Sequence, residues 1–236
     1  MTKKHKKTKE NKKWVWGISA GTLVALLVVI GVLFLKNCHK ENGEEPTEST
    51  GETTEQNLGN NVILLKAEGL SGAYPEDGSD TQQENVLVLT IKNNGDKLIQ
   101  YTDIRINGIY SFKVTTLLPG DTMTVWEQNK SRCPENFSVE SAELENFAEF
   151  IEAPSLQEGL LRINGLEGIV TVENITTDTM IPPVTVYYKK VKNGILQGGI
   201  TYRVTTGTLK PGASESVSSR HFDPVDSVVL FATYGN

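Results

Sequence analysis

With 236 residues, 22% of them charged and 38% hydrophobic, the chain has the composition of a folded protein with room for one or two domains. Its net charge of −6 is uneven: seven Lys against one Glu in residues 1–13, then Lys36 and Lys40, put +8 in the first 40 residues and leave −14 for the rest. So acidic a body repels phosphate backbones, which argues against a nucleic-acid partner, and two cysteines, Cys38 and Cys133, are too few for a disulfide framework.

Residues 1–13 (MTKKHKKTKENKK) read as a basic cytoplasmic tail. From Trp14 to Leu35 there are 22 residues without a charge. A helix of that length reaches about 33 Å, enough for a hydrocarbon core of about 30 Å. Trp14 and Trp16 open the run, where amphipathic rings favour the headgroup level, and the lysines before it favour the cytoplasmic side. The run is longer than a signal-peptide core, and LFLKNC offers no small-x-small cleavage site. Residues 14–35 therefore read as an uncleaved signal anchor in the lipid bilayer, with everything after them outside the cell. Gly17 and Gly21 have the spacing that lets two helices approach closely, a contact that would make a homodimer. Cys38, just past the anchor, reads either as an unpaired thiol or as a bridge to a neighbouring chain.

Residues 36–61 read as an acidic disordered linker. Glu41 to Asn61 (ENGEEPTESTGETTEQNLGNN) holds six Glu and almost nothing apolar, too little to bury a core. From Val62 the pattern changes to short alternating runs between turn residues. Asn85 to Lys92 alternates and stops at Asn93-Asn94-Gly95-Asp96; Thr102 to Asn107 and Tyr110 to Leu117 alternate again. Asp121 to Glu127 places Met123 and Val125 on one face and Trp126 on the other. Glu140 to Glu149 is ambiguous, with a helix-favouring composition.

The chain then repeats itself. Val88 to Ile106 corresponds to Ile169 to Tyr188, with Asn93 against Asn174. VTTLLPGDTMTV from Val114 corresponds to VTTGTLKPGASESV from Val204, with Pro119-Gly120 against Pro211-Gly212. Phe137 to Ser141 faces Phe222 to Ser227. The second copy is lengthened at Lys189 to Gly199 by a longer hairpin, whose glycines read as turn chemistry. Blocks in one order, differing in length at turns, predict a tandem repeat, residues 62–153 and 154–236, each a small β-sandwich.

The recurring residues resemble a known grammar. Asn93-Asn94-Gly95-Asp96, Ile104-Arg105-Ile106 and Leu118-Pro119-Gly120-Asp121-Thr122 return as Asn174 to Asp178, Val184 to Val186 and Leu209 to Ser214. They are similar to bacterial immunoglobulin-like (Ig-like) envelope modules of the CARDB and FxLYD type, over residues 62–236. The resemblance implies an all-β, extracytoplasmic pair of Ig-like modules without catalysis.

The chemistry-bearing residues are few. Past His39 the only histidine is His221, with Ser218, Ser219 and Asp223 nearby, but neighbours on a strand point to opposite faces. No catalytic residue, cofactor or metal site is therefore expected. A hydrolase would need a buried charged pair in a cleft. The loop Pro75 to Asp80, with Glu84, is oxygen-rich but lacks the order of a dedicated calcium loop. Tyr187, Tyr188 and Tyr202 fall on predicted strands and form the candidate ligand or partner surface if they prove exposed together; otherwise they are core packing. The reading is a non-enzymatic envelope binding or scaffolding protein whose partner is another envelope protein, or else a wall glycan.

Overall fold

The computed structural model describes residues 55–79 and 81–235. The expected basic tail, the anchor at 14–35, the Gly17, Gly21 and Cys38 contact, and the linker up to residue 54 lie outside the described residues, as does Asp80. Among the described residues the protein is all-β, as the alternating pattern predicts, and no helix is long and apolar enough to cross a membrane.

The strands are β1 (Gln56–Gly59), β2 (Val62–Ala73), β3 (Gln82–Asn93), β4 (Ile99–Ile106), β5 (Tyr110–Leu117), β6 (Thr122–Trp126) and β7 (Ala142–Glu149). They are followed by β8 (Leu161–Leu166), β9 (Ile169–Asn174), β10 (Val184–Lys192), β11 (Ile195–Thr205), β12 (Ser214–Ser218) and β13 (Ser227–Tyr234). One seven-stranded sheet runs β1-β2-β3-β6-β11-β10-β13, and two three-stranded sheets run β5-β4-β7 and β12-β9-β8. The two halves of the chain use one plan. In the first, β2-β3-β6 faces β5-β4-β7; in the second, β8-β9-β12 faces β11-β10-β13. Each half thus sets its first, second and fifth repeated strands against its fourth, third and sixth. The repetition in sequence is a repetition in topology.

Each half has its own core. Leu87, Leu89, Ile91, Met123 and Val125 meet Ile104, Phe112 and Val114 in the first. Val170 and Val172 meet Val184, Val186, Tyr188 and Val204 in the second. Met123 and Val125 are on the core side of β6, while Trp126 turns to a small cluster with Tyr74, Val86 and Val88, as the alternation requires.

The repeated turn is stereochemical. The N–H of Asp121 donates to Leu118 O across Pro119-Gly120, and that of Ala213 donates to Lys210 O across Pro211-Gly212. The glycines sit at φ 80 and φ 69, which a type II turn requires at its third position. A buried asparagine locks each turn to the strand before it. Asn93 Nδ2 donates to Lys97 O (2.8 Å) and Leu117 O (3.0 Å). Asn174 Nδ2 donates to Thr179 O (2.8 Å) and Leu209 O (3.1 Å). Their Oδ1 atoms accept from Gly95 N and Thr176 N, both at 3.0 Å.

One expectation is corrected and one ambiguity is resolved. The linker does not run to Asn61: Gln56–Gly59 pairs with β2 as an edge strand, and Leu58, its one large apolar side chain, is buried in the first core. The ambiguous stretch Glu140 to Glu149 resolves as strand, with β7 taking Ala142–Glu149. Its partner β4 decides this: Leu144 opposes Ile104, and Glu145 accepts Arg105 Nε at 2.8 Å. The register shifts between the Tyr101 and Asp103 pairs, where Asn146 has φ 51, which breaks the alternation a sequence reading would look for.

Candidate ligand groove

The two halves are fused by one pairing. β6 and β11 run parallel, with Met123 opposite Leu196 and Thr124 opposite Gln197, and this joins the first half's sheet to the second half's. The lengthened hairpin makes the contact. Its tip is the two-residue turn Asn193-Gly194 (φ 52 and 78), and Leu196 beyond it enters the first core. Gly194 is turn chemistry as expected, but Gly198 and Gly199 lie inside β11. A Cβ on Gly199 would stand 1.6 Å from Lys113 O, so only glycine lets the two backbones meet. Thr115 Oγ1 donates to Gly199 O (2.7 Å) and lies 2.9 Å from Thr201 Oγ1.

A half-buried carboxylate and a fully buried lysine meet at this junction. Glu76, from the β2–β3 loop, accepts from Gly199 N (2.8 Å) and from Trp126 N (3.0 Å). Lys189 is fully buried and donates to the carbonyls of Gly198 (3.3 Å), Gly199 (3.0 Å) and Ile200 (2.6 Å). The two side chains grip one peptide run by its N–H and its C=O groups. Burial pushes Lys189 down to about 7, opposed by the charge of Glu76. Burial raises Glu76, opposed by the amides of Trp126 and Gly199 and by the Lys189 charge. A second carboxylate, Glu127, is fully buried within the first half and accepts from Asn129 N (2.8 Å), Ser131 N (2.9 Å) and Ser111 N (3.2 Å).

A groove of about 610 Å³ opens beside this junction, within the size range of small-ligand sites. One wall is the face of β10, β11 and β13 that turns away from the second core, with Tyr187, Arg203, Phe231 and Thr233. The other is the edge of the first half's small sheet, with Gln100, Thr115 and Thr116. Tyr187 stacks on Phe231 (centroids 4.5 Å, 27°), and Phe150 meets Phe231 edge-on at 5.7 Å. Glu76, Lys189 and Glu127 do not line the groove.

The structure divides the three predicted tyrosines. Tyr187 is half-buried on the groove wall. Tyr188 is corrected to a core residue: alternation along β10 turns it inward, where it has no exposed surface, stacks on Tyr202, meets Phe222 edge-on and bonds the Ser219 hydroxyl. Tyr202 lies between Tyr188 and His221 and donates to Pro75 O at 3.3 Å, as part of the contact between the halves. The three do not form one exposed row.

Other candidates are occupied elsewhere. Ser219 is bonded to Tyr188, and Asp223 accepts from Val225 N at 2.9 Å; His221 Nε2 accepts from Arg220. In the oxygen-rich loop, Glu76 turns to backbone amides and Asp77 to Lys130 at 3.0 Å. Cys133 is buried, and burial, with Glu68, raises its thiol. Sequence reading missed Phe150, Phe231, Arg203 and the Thr116 wall, because a groove between two halves has no local motif. No family model, curated protein or solved structure matches this chain.

Proposed function

We propose that the chain is a non-enzymatic binding protein of the cell envelope, anchored through residues 14–35 and presenting two fused Ig-like sandwiches outside. The division of strands in each half supports the Ig-like reading, because an Ig-type Greek key sets A, B and E against C′, C and F in the same way. The absence of catalysis is supported by what these charged groups do: Glu76 bonds a peptide N–H across the two halves, and Lys189 and Glu127 are spent on peptide groups within their own halves.

One observation carries the choice of ligand. The groove combines the aromatic ring of Tyr187 with hydroxyl and amide side chains on a rigid sheet, a lining suited to a sugar ring more than to a protein face. This favours a wall glycan over a protein partner. The test is co-sedimentation of the full chain, in mild detergent, with washed wall polymer from the source cell. Pelleting that Tyr187→Ala weakens about tenfold supports the glycan reading. A supernatant that keeps the protein, together with crosslinking to one neighbouring envelope protein in intact cells, replaces it with the scaffolding reading.

A further inference from the structure

Of the ten residues that line the groove, Arg203 alone is charged. It is exposed, and no described residue gives its guanidinium an ion pair or hydrogen bond. Arg132 is likewise exposed and unpaired among the described residues but lies outside the groove, so what marks Arg203 is its place in the lining. Arg105 is paired with Glu145 and Arg162 with Glu173, both at 2.8 Å, and Arg220 donates to Gly78 O at 2.8 Å.

Thr116 is the second observation. It lines the same groove, is only 5% exposed, and its hydroxyl has no bond to any described residue. Its φ of 53 lies in the left-handed region, a conformation that costs a β-branched residue roughly 1–3 kcal/mol. The repeat supplies a control. The corresponding residue in the second half is Thr206, which keeps an ordinary φ, accepts from Val184 N (3.1 Å) and donates to Gly207 O (2.9 Å). In the second half this threonine holds strands together; in the first it is strained and its hydroxyl is unspent at the groove wall.

We propose that the groove binds an acidic sugar, with Arg203 taking its carboxylate, Tyr187 the apolar face of its ring, and Thr116, Thr233 and Gln100 its hydroxyls. The inference rests on the glycan reading above and narrows it. A guanidinium presents a planar fork that matches a carboxylate with two parallel hydrogen bonds, which an ammonium does not. Because the surrounding segment is acidic, this one cation carries the recognition of charge.

The experiment is calorimetric titration of the full chain, in mild detergent, with tri-galacturonate and with its neutral counterpart, a galactose trisaccharide. The acidic sugar binds and the neutral one binds about ten- to a hundredfold more weakly, the worth of a charge-assisted pair. Arg203→Gln abolishes that preference, and Arg203→Lys restores only part of it. Arg203 is exposed, so both variants keep the fold, which the unchanged melting temperature checks. Equal binding of the two sugars, or a preference that survives Arg203→Gln, overturns the acidic-sugar inference and leaves the glycan reading standing. Binding of neither sugar while wall polymer still pellets also overturns it. Failure of both sugars and of the polymer overturns the two together.

Discussion

The ammonium of Lys189 has no exposed surface, and three carbonyl oxygens surround it. Those oxygens suit a donor, yet burial disfavours the charge, and the balance falls at about 7. In the unfolded chain a lysine keeps its proton to about pH 10.4. Between these values the unfolded chain binds more protons than the folded one, so this residue makes stability rise with pH, by up to about 1.4 kcal/mol per unit. Below that window the cost of burying the charge is fully present. Glu76 acts in the opposite sense: its folded value is raised, so its contribution is present below the ordinary carboxylate range and fades as pH rises through the folded value. Replacing Lys189 by Met removes one titration and leaves the rest. Urea denaturation of the wild type and Lys189→Met between about pH 7 and 10 should give a stability difference that changes with pH. A difference that stays flat across that window means Lys189 keeps an ordinary proton affinity.

At the scale of elements, the strands were legible and their meeting was not. Alternation and Pro-Gly turns place β3 to β6 within a few residues, because those signals are local. Asn93 and Asn174 could be matched from sequence alone, since each must satisfy the same turn. The β6–β11 pairing joins residues about seventy positions apart and has no motif, so Gly198-Gly199 read as turn glycines. Their context separates the two kinds of glycine. Gly199 is excluded from having a side chain by Lys113 O at 1.6 Å, whereas Gly212 has open space and only its φ of 69 to maintain. Gly212→Ala should therefore cost about 1–2 kcal/mol, the strain of a left-handed residue. Gly199→Ala should cost more than about 3 kcal/mol, since backbone cannot move aside as a flexible side chain does. Equal costs by chemical denaturation would show that the junction is looser than this contact implies.

At the scale of the whole molecule, the question is whether two repeats behave as two folding units. Their cores are separate, with Leu89 and Ile91 in one and Val170 and Val172 in the other. Yet one sheet crosses both halves, and Leu196 of the second half is buried in the core of the first. Each half alone would expose a sheet edge at β6 or β11, and the first would lose a core side chain. Independent unfolding should therefore be costly, and the halves should open together. Native-state hydrogen exchange tests this through the amides of β3 and β9. In the wild type the two sets should exchange with the same opening free energy. Leu196→Ala, which removes a buried Leu at a cost of about 2–5 kcal/mol, should lower both by a similar amount. Protection lost in β3 alone would mean that the second half stands without the first, and the groove would then lie between two bodies free to part. Protection lost in both makes the groove a fixed feature of one body, whose two walls reach the ligand already in place.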